Sequence, residues 1–326
     1  VHTAGEPLRI ITGGLPHIPG STILEKRRHA TRHLDTLRTA LMWEPRGHAD
    51  MYGAILTEPV TEDGDAGVLF IHNEGFSTMC GHGIIGLAMA GVEGGAVPLD
   101  ETEEGTVIRL DTPAGRVTAF PERSDGKIER ASFQNVPSFV LALDREVAVD
   151  GLGTVPYDVA FGGAYYAFCR ADDLGVTLDH TGFRTLIDVG MRIKRAVMDT
   201  FPIEHPFEED LGFLYGTILV GEARDARNHS RNVCVFADGE VDRCPTGTGV
   251  SARAAIHFAR GELGIGEPFR VESILGTIFT GEVEETTRFG NYDAVIPRVS
   301  GTSYITGRNE ILLDPNDPLK HGFMLR

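Results

Sequence analysis

The sequence predicts an α+β protein built from two pseudo-symmetric domains, and three observations carry that expectation. At 326 residues the chain exceeds one ordinary hydrophobic core and suits two domains of roughly 150 residues. Short β-like stretches separated by Gly, Pro and Asp run through both halves, with fewer helical patterns between them. Finally, one segment of the first half recurs in the second.

In chain order, the first helical pattern is "EKRRHATRHLDTLRTALM" (25–42). It places apolar residues on one stripe and basic residues on another, which predicts a surface helix. Strands are expected at "MYGAIL" (51–56), "GVLFIH" (67–72) and "TVIRLDTPAGRVTAF" (106–120). The acidic stretch Asp100–Glu104 reads as a solvated loop. In the second half, strands are expected at "YDVAFGGAYYAFCR" (157–170), "TILVGEA" (217–223) and "RNVCVFA" (231–237). "DLGVTLDHTGFRTLIDVGMRIKRAVM" (173–198) contains a helix, with Arg192, Lys194 and Arg195 expected on its solvated face.

Composition narrows the function classes. Hydrophobic residues make up 41% and charged residues 24%, as in soluble globular proteins. Apolar runs are too short to span a bilayer. The start, "VHTAGEPLRI", lacks a basic region followed by an apolar block, so no signal peptide is expected. A formal net charge of -17 disfavours nucleic acid and anionic membrane as partners, since both need a basic surface. The four cysteines, Cys80, Cys169, Cys234 and Cys244, form no CxxC pair and lack zinc-ligand spacing. Reduced thiols and a cytoplasmic location are the expectation.

The repeat places "VLFIHNEGFSTMCGHGIIGLAMA", from Val68, over "CVFADGEVDRCPTGTGVSARAAI", from Cys234, without gaps. Each copy runs from a β-rich stretch through a turn containing Glu (Glu74, Glu240) to an x-Gly-x-Gly motif and a small-residue helix. Cys80 falls on Thr246, Gly81 on Gly247, His82 on Thr248 and Gly83 on Gly249.

Glycines at a helix start let backbone approach a ligand closely. The first N–H groups of a helix lack intrahelical partners, and the helix dipole adds positive charge there. Such an end holds a carboxylate, and it favours the thiolate of a cysteine placed on it. Two such ends facing each other across a domain interface suit proton removal from the carbon next to a carboxylate, with Cys80 as the base. Thr246 is far too weak an acid or base to return a proton on the other face. The expected chemistry is therefore one-sided, ending in loss of a leaving group. Taken alone, Cys80 also reads as a packing thiol and His82 as a structural helix-start histidine. The repeat favours function.

At these residues the sequence resembles the proline racemase family. The motifs are "HTAGEPLRI" (2–10), "EPRGHADMYGAI" (44–55), "MCGHG" (79–83), "GGAYYAF" (162–168), "DRCPTGTG" (242–249) and the closing "LDPNDPLKHGF". The resemblance implies a diaminopimelate-epimerase-like fold. Each domain would be a curved, mostly antiparallel sheet around a central helix, with the active site between them. The first domain would comprise 1–150 with 305–326 and carry Cys80. The second would comprise 151–304 and carry Asp242 and Thr246.

Racemases of the family resemble "MCGHG" paired with "DRSPCGTG". Here Thr246 replaces the second cysteine, the pattern of trans-3-hydroxy-L-proline dehydratases. The resemblance implies a cofactor-free, metal-free hydro-lyase with Cys80 and Thr246 at the catalytic positions. N–H groups of Gly81, His82, Gly247 and Thr248 would cradle the substrate carboxylate, and Asp242 would receive the ring ammonium. The family commonly forms homodimers. Cys244 stands where the racemase pattern has Ser and reads as a small buried replacement. Tyr165 and Tyr166 read as pocket wall or strand core. A proline or 4-hydroxyproline epimerase, and a non-catalytic amino-acid-binding protein, are the alternatives.

Overall fold

Contacts divide the computed structural model, which describes residues 1–97, 100–102, 105–125 and 127–325, into two units. Val1–Ala131 with Thr302–Arg326 form the first, and Ser132–Gly301 the second. Of the acidic stretch at 100–104, Glu103 and Glu104 lie outside the described residues.

In the first unit, Ala66–His72 is the central strand and is buried along its whole length. It pairs antiparallel with Tyr52–Thr57 and parallel with Gly105–Thr112. Arg9–Ile11 adds a parallel neighbour on one side, and Gly115–Ser124 an antiparallel hairpin partner on the other. The Thr302–Arg326 segment returns to this unit, where Ser303 pairs with Thr3 and Phe323 bridges Glu44.

The expected helix over 25–42 is two helices, Ile23–His33 and Asp35–Met42, broken at Leu34. Thr22 caps the first by accepting from the Glu25 N–H at 3.1 Å, while Glu25 reaches back to the Ser21 N–H at 2.7 Å. The basic stripe is not uniformly solvated. Lys26 and Arg38 are buried, donating to the carbonyls of Glu58 and His72 at 2.6 and 2.9 Å. Their apolar stems cover core while their heads satisfy backbone carbonyls, an outcome that sequence periodicity does not encode.

In the second unit, the sheet order runs Ser138–Val149, Gly153–Phe161, Tyr165–Arg170, Leu214–Gly221, Ser230–Phe236, Phe269–Glu272, Ile278–Phe289, Tyr292–Gly301. It closes on itself, because Phe139 pairs with Ala294. The helix Gly247–Ala259 packs against Ser138–Val149, Ile278–Phe289 and Tyr292–Gly301, and every residue from Gly247 to Ile256 is buried. Apart from Arg253, that stretch is apolar or small on all sides, as befits a helix in a core. Gly162 shows how close the packing is. A Cβ there would lie 2.2 Å from the Thr248 carbonyl oxygen, so no other residue fits. The helix Phe183–Thr200 packs on Leu214–Gly221 and Ser230–Phe236. Lys194, expected in solvent, is buried there and donates to the Ala237 carbonyl at 2.6 Å.

The two units repeat one strand pattern. Tyr165–Arg170 runs parallel to Leu214–Gly221, which pairs antiparallel with Ser230–Phe236, which runs parallel to Phe269–Glu272 and on to antiparallel Ile278–Phe289. Ala54 pairs with Phe70 where Ile218 pairs with Cys234, an offset of 164 in both strands (218 against 54, 234 against 70). The helices that follow start at Gly81 and Gly247, an offset of 166. The second turn is therefore two residues longer, and the gapless sequence alignment is two residues out of register in the strands. Because side chains alternate with a period of 2, that slip keeps each residue on its face of the sheet, so the alignment still matches buried with buried.

Candidate active site

Each unit carries one candidate site at the turn between its central strand and the following helix. In the first, Arg27 donates twice to the Phe76 carbonyl, from Nε at 3.1 Å and Nη2 at 2.8 Å, and pins the segment leading to Cys80. Cys80 is the N-cap of the helix Gly81–Gly86, with extended backbone at φ -146. Its Sγ turns back over the helix start and accepts from the Gly83 N–H at 3.2 Å. An N–H aimed at sulfur favours negative charge there. Gly83 has to be glycine, since a Cβ would lie 2.6 Å from the Phe70 ring and 3.0 Å from Sγ.

The His82 ring also meets this sulfur, with Nδ1 3.2 Å from Sγ. The ring is buried and stands edge-on to Tyr52, with centroids 4.8 Å apart. Burial pushes its pKa down to about 3, opposed by a hydrogen bond to the Pro7 backbone. The imidazole beside Cys80 is therefore neutral near neutral pH. The helix beyond Gly86 continues through a π-helical turn, Leu87–Gly91, also buried.

In the second unit, Thr246 is the N-cap of Gly247–Ala259 and has φ 65, ψ 91. A left-handed conformation at a β-branched residue costs on the order of 1–3 kcal/mol and needs surroundings that hold it. The Thr246 hydroxyl makes no cap bond to its own helix. It points the other way and donates to Asp242 Oδ2 at 2.5 Å. Cys244 Sγ lies 3.7 Å from Asp242 Oδ1 and accepts from the Thr246 N–H at 3.4 Å. Cys244 is wholly buried inside the turn. Asp242 is buried too, and burial raises its pKa to about 6 against the lowering hydrogen bonds from Thr246 and Cys244.

Thr248, one residue into the helix, shares a hydrogen bond with the Tyr166 hydroxyl at 2.7 Å. Tyr166 is 1% exposed and Tyr165 is 0% exposed, donating to the Glu204 carbonyl at 3.1 Å, so both belong to the strand core. The structure thus brings Cys80, Gly81 and His82 together at one helix start, and Asp242, Cys244, Thr246, Gly247 and Thr248 together at the other. The bonds from Cys244 and Tyr166 escaped sequence reasoning. "DRCPTGTG" carried one usable signal, since a Cys two residues from an Asp across a Pro turn places a weak donor within reach of the carboxylate.

Each helix start offers N–H groups for an anion, and of the two only the first has a thiol turned onto its own helix. Among the described residues, no helix is long and apolar enough to cross a membrane.

The family model described as Proline racemase matches residues 1–324. A trans-3-hydroxy-L-proline dehydratase of Colwellia psychrerythraea is 47% identical over 325 residues, covering 100% of this chain and 91% of that protein. A 3-hydroxyproline 2-epimerase of Burkholderia multivorans is 44% identical over 326 residues, covering 100% and 97%. A hydroxyproline epimerase of Agrobacterium vitis, solved with trans-4-hydroxy-L-proline bound, is similar in fold with a TM-score of 0.93 at 31% identity, covering 99% of this chain and 93% of that one. Matched along nearly its whole length, and carrying the helix-start motif in both halves, this chain belongs to the proline racemase family.

Proposed function

We propose that the protein is a hydro-lyase that dehydrates trans-3-hydroxy-L-proline to Δ1-pyrroline-2-carboxylate. The observation that carries this reading is the Thr246 hydroxyl, which donates its hydrogen bond to Asp242 at 2.5 Å. The position matching Cys80 therefore holds neither a thiol nor a hydroxyl directed at its own helix start. A dehydratase relative at 47% identity supports the assignment.

In this mechanism the Cys80 thiolate takes the Cα proton. The electron pair forms the C2–C3 double bond as the C3–O bond breaks, and the hydroxide leaves as water with the proton that Cys80 took, which returns Cys80 to its thiolate. The enamine then tautomerises to the cyclic imine. N–H groups of Gly81, His82, Gly247 and Thr248 hold the carboxylate and stabilise charge developing on it. Asp242, ionised above about pH 6, accepts hydrogen bonds from the ring ammonium. His82 orients the Cys80 sulfur.

Incubation with trans-3-hydroxy-L-proline should give the imine, trapped as its o-aminobenzaldehyde adduct. Absence of imine from active, reduced protein would sink the reading. The competing epimerase activity is tested in the same panel with trans-4-hydroxy-L-proline and L-proline. Cys244 is the thiol beside the second helix start, but its sulfur is engaged by the Thr246 N–H and fully buried. Thr246→Cys supplies a second thiol at the matching position, and it should introduce solvent deuterium and inversion at Cα that the wild type lacks. Efficient inversion of proline by the wild type would refute the one-base argument.

A further inference from the structure

Thr246 holds a backbone conformation that its side chain resists, so the protein must anchor it from outside the residue. The anchors can be traced. Its carbonyl accepts from the Val250 N–H at 2.8 Å, which is ordinary helix bonding. On the other side, the carbonyl of Pro245 accepts from Asn232 Nδ2 at 3.1 Å. Asn232 lies in the central strand Ser230–Phe236, outside the "DRCPTGTG" motif, and is 0% exposed.

Its amide is not free to flip. Arg253, buried in the central helix, donates from Nη1 to Asn232 Oδ1 at 3.0 Å and to Ser230 Oγ at 2.6 Å. Guanidinium groups only donate, so Asn232 must present oxygen to Arg253 and its NH2 to Pro245. Arg253 Nη2 also meets His257 Nε2 at 3.0 Å, so that nitrogen accepts and Nδ1 carries the proton toward Glu262 at 2.7 Å. One ordered set of donors thus runs from the helix end to the Pro245 carbonyl.

We infer that Asn232, oriented by Arg253, is a positioning residue that holds Thr246 in its left-handed conformation and so delivers the Thr246 hydroxyl to Asp242. It touches neither carboxylate nor hydroxyl itself and acts through the peptide between Pro245 and Thr246. The inference stands whether or not the protein is a dehydratase, because it concerns the carboxylate and its hydrogen bond.

The test reads the Asp242 carboxyl directly, by 13C NMR titration assigned with Asp242→Asn. Within the second unit, the groups facing Asp242 are Thr246 and Cys244 as donors, with Arg243, Glu240 and Tyr166 as neighbouring ionisable groups. Thr246→Val removes the hydroxyl and should move the Asp242 midpoint upward from about 6. Asn232→Leu, close in volume and unable to donate, should move it upward by a similar amount and lower kcat more than it alters KM. An unmoved midpoint in Asn232→Leu, with Thr246→Val shifted, overturns the proposal. Should Asn232→Leu fail to fold, Asn232→Asp keeps a partner for Arg253 while losing the donor to Pro245. A crystal structure of that variant with Thr246 still left-handed and bonded to Asp242 overturns the proposal, and a displaced Thr246 supports it. Loss of imine formation in the wild type, with both midpoints moving, would remove the dehydratase reading and leave this one.

Discussion

Cys80→Ser should lower turnover by roughly 10⁴-fold, the upper end of what a positioned general base contributes, and leave the fold intact. The two expectations have separate causes. Serine is a good N-cap, so its Oγ can take the Gly83 N–H that now meets sulfur at 3.2 Å. The helix start therefore keeps its cap, and circular dichroism and thermal midpoint should stay near wild type. A hydroxyl, however, is far too weak an acid to be ionised at neutral pH, so the base is lost. Cys169→Ser is the control. Burial pushes the Cys169 thiol up to about 12, which leaves it protonated and unreactive, and its replacement should leave turnover within about twofold. Iodoacetamide labelling should follow the same order, with Cys80 modified and protected by substrate. The proposed role for Cys80 fails if Cys80→Ser retains turnover within tenfold of wild type. The pH profile adds a check, because His82, held near 3 by burial, cannot supply a titration between pH 5 and 8.

The contrast between the two helix starts is sharper in structure than in sequence. Cys80 and Thr246 align in the repeat, which suggests one position with two side chains. In the fold they are two conformations. Cys80 is extended and folds its sulfur onto its own helix, whereas Thr246 is left-handed and sends its hydroxyl away to Asp242. Thr246 thus differs from Cys80 in its functional group and also turns that group toward a different partner.

Strand positions and the pairing of the two halves were legible because they rest on short-period patterns. "MYGAIL" and "GVLFIH" became Tyr52–Thr57 and Ala66–His72 within a residue or two. The two-residue insertion in the second turn was not legible, because a slip of two preserves the alternation. Nor were the inward turns of Lys26, Arg38 and Lys194, since long cationic side chains carry an apolar stem that periodicity scores as surface. Cys80, Asp242 and Thr246 stood out through motif. Asn232 and Arg253 did not, because a residue that acts through a backbone carbonyl thirteen positions on leaves no local pattern. Cys244 read correctly as small and buried, yet its contact with Asp242 depends on a turn that Pro245 and the left-handed Thr246 shape together.

Asp242→Asn should lose activity by on the order of 10²–10³-fold and become more stable relative to wild type as pH rises. Asp242 carries a folded-state pKa of about 6 against an ordinary aspartate value of 3.8. Below pH 3.8 the carboxyl is protonated in both states and imposes no penalty. Between 3.8 and about 6 the unfolded chain ionises first, so folding loses stability as pH increases. Above about 6 the loss is complete, at most about 3 kcal/mol from a shift of about two units at 1.36 kcal/mol each. Asparagine cannot ionise and escapes this loss. It does present an NH2 to one of the two donors, Thr246 or Cys244, at a cost of about 1–3 kcal/mol that does not vary with pH. The informative quantity is therefore the difference between variant and wild type, compared at pH 4.5 and pH 8. It should move toward the variant by several degrees in thermal midpoint. A difference that stays constant across that range would mean Asp242 is not held protonated by burial. In the proposed mechanism the ionised carboxylate pairs with a substrate ammonium more strongly than the neutral acid does, so wild-type turnover should rise through about pH 6 as this stability is lost. A buried carboxylate that destabilises the fold in the form that binds substrate is explained by its task, and the hydrogen bonds from Thr246 and Cys244 limit how far its pKa is raised.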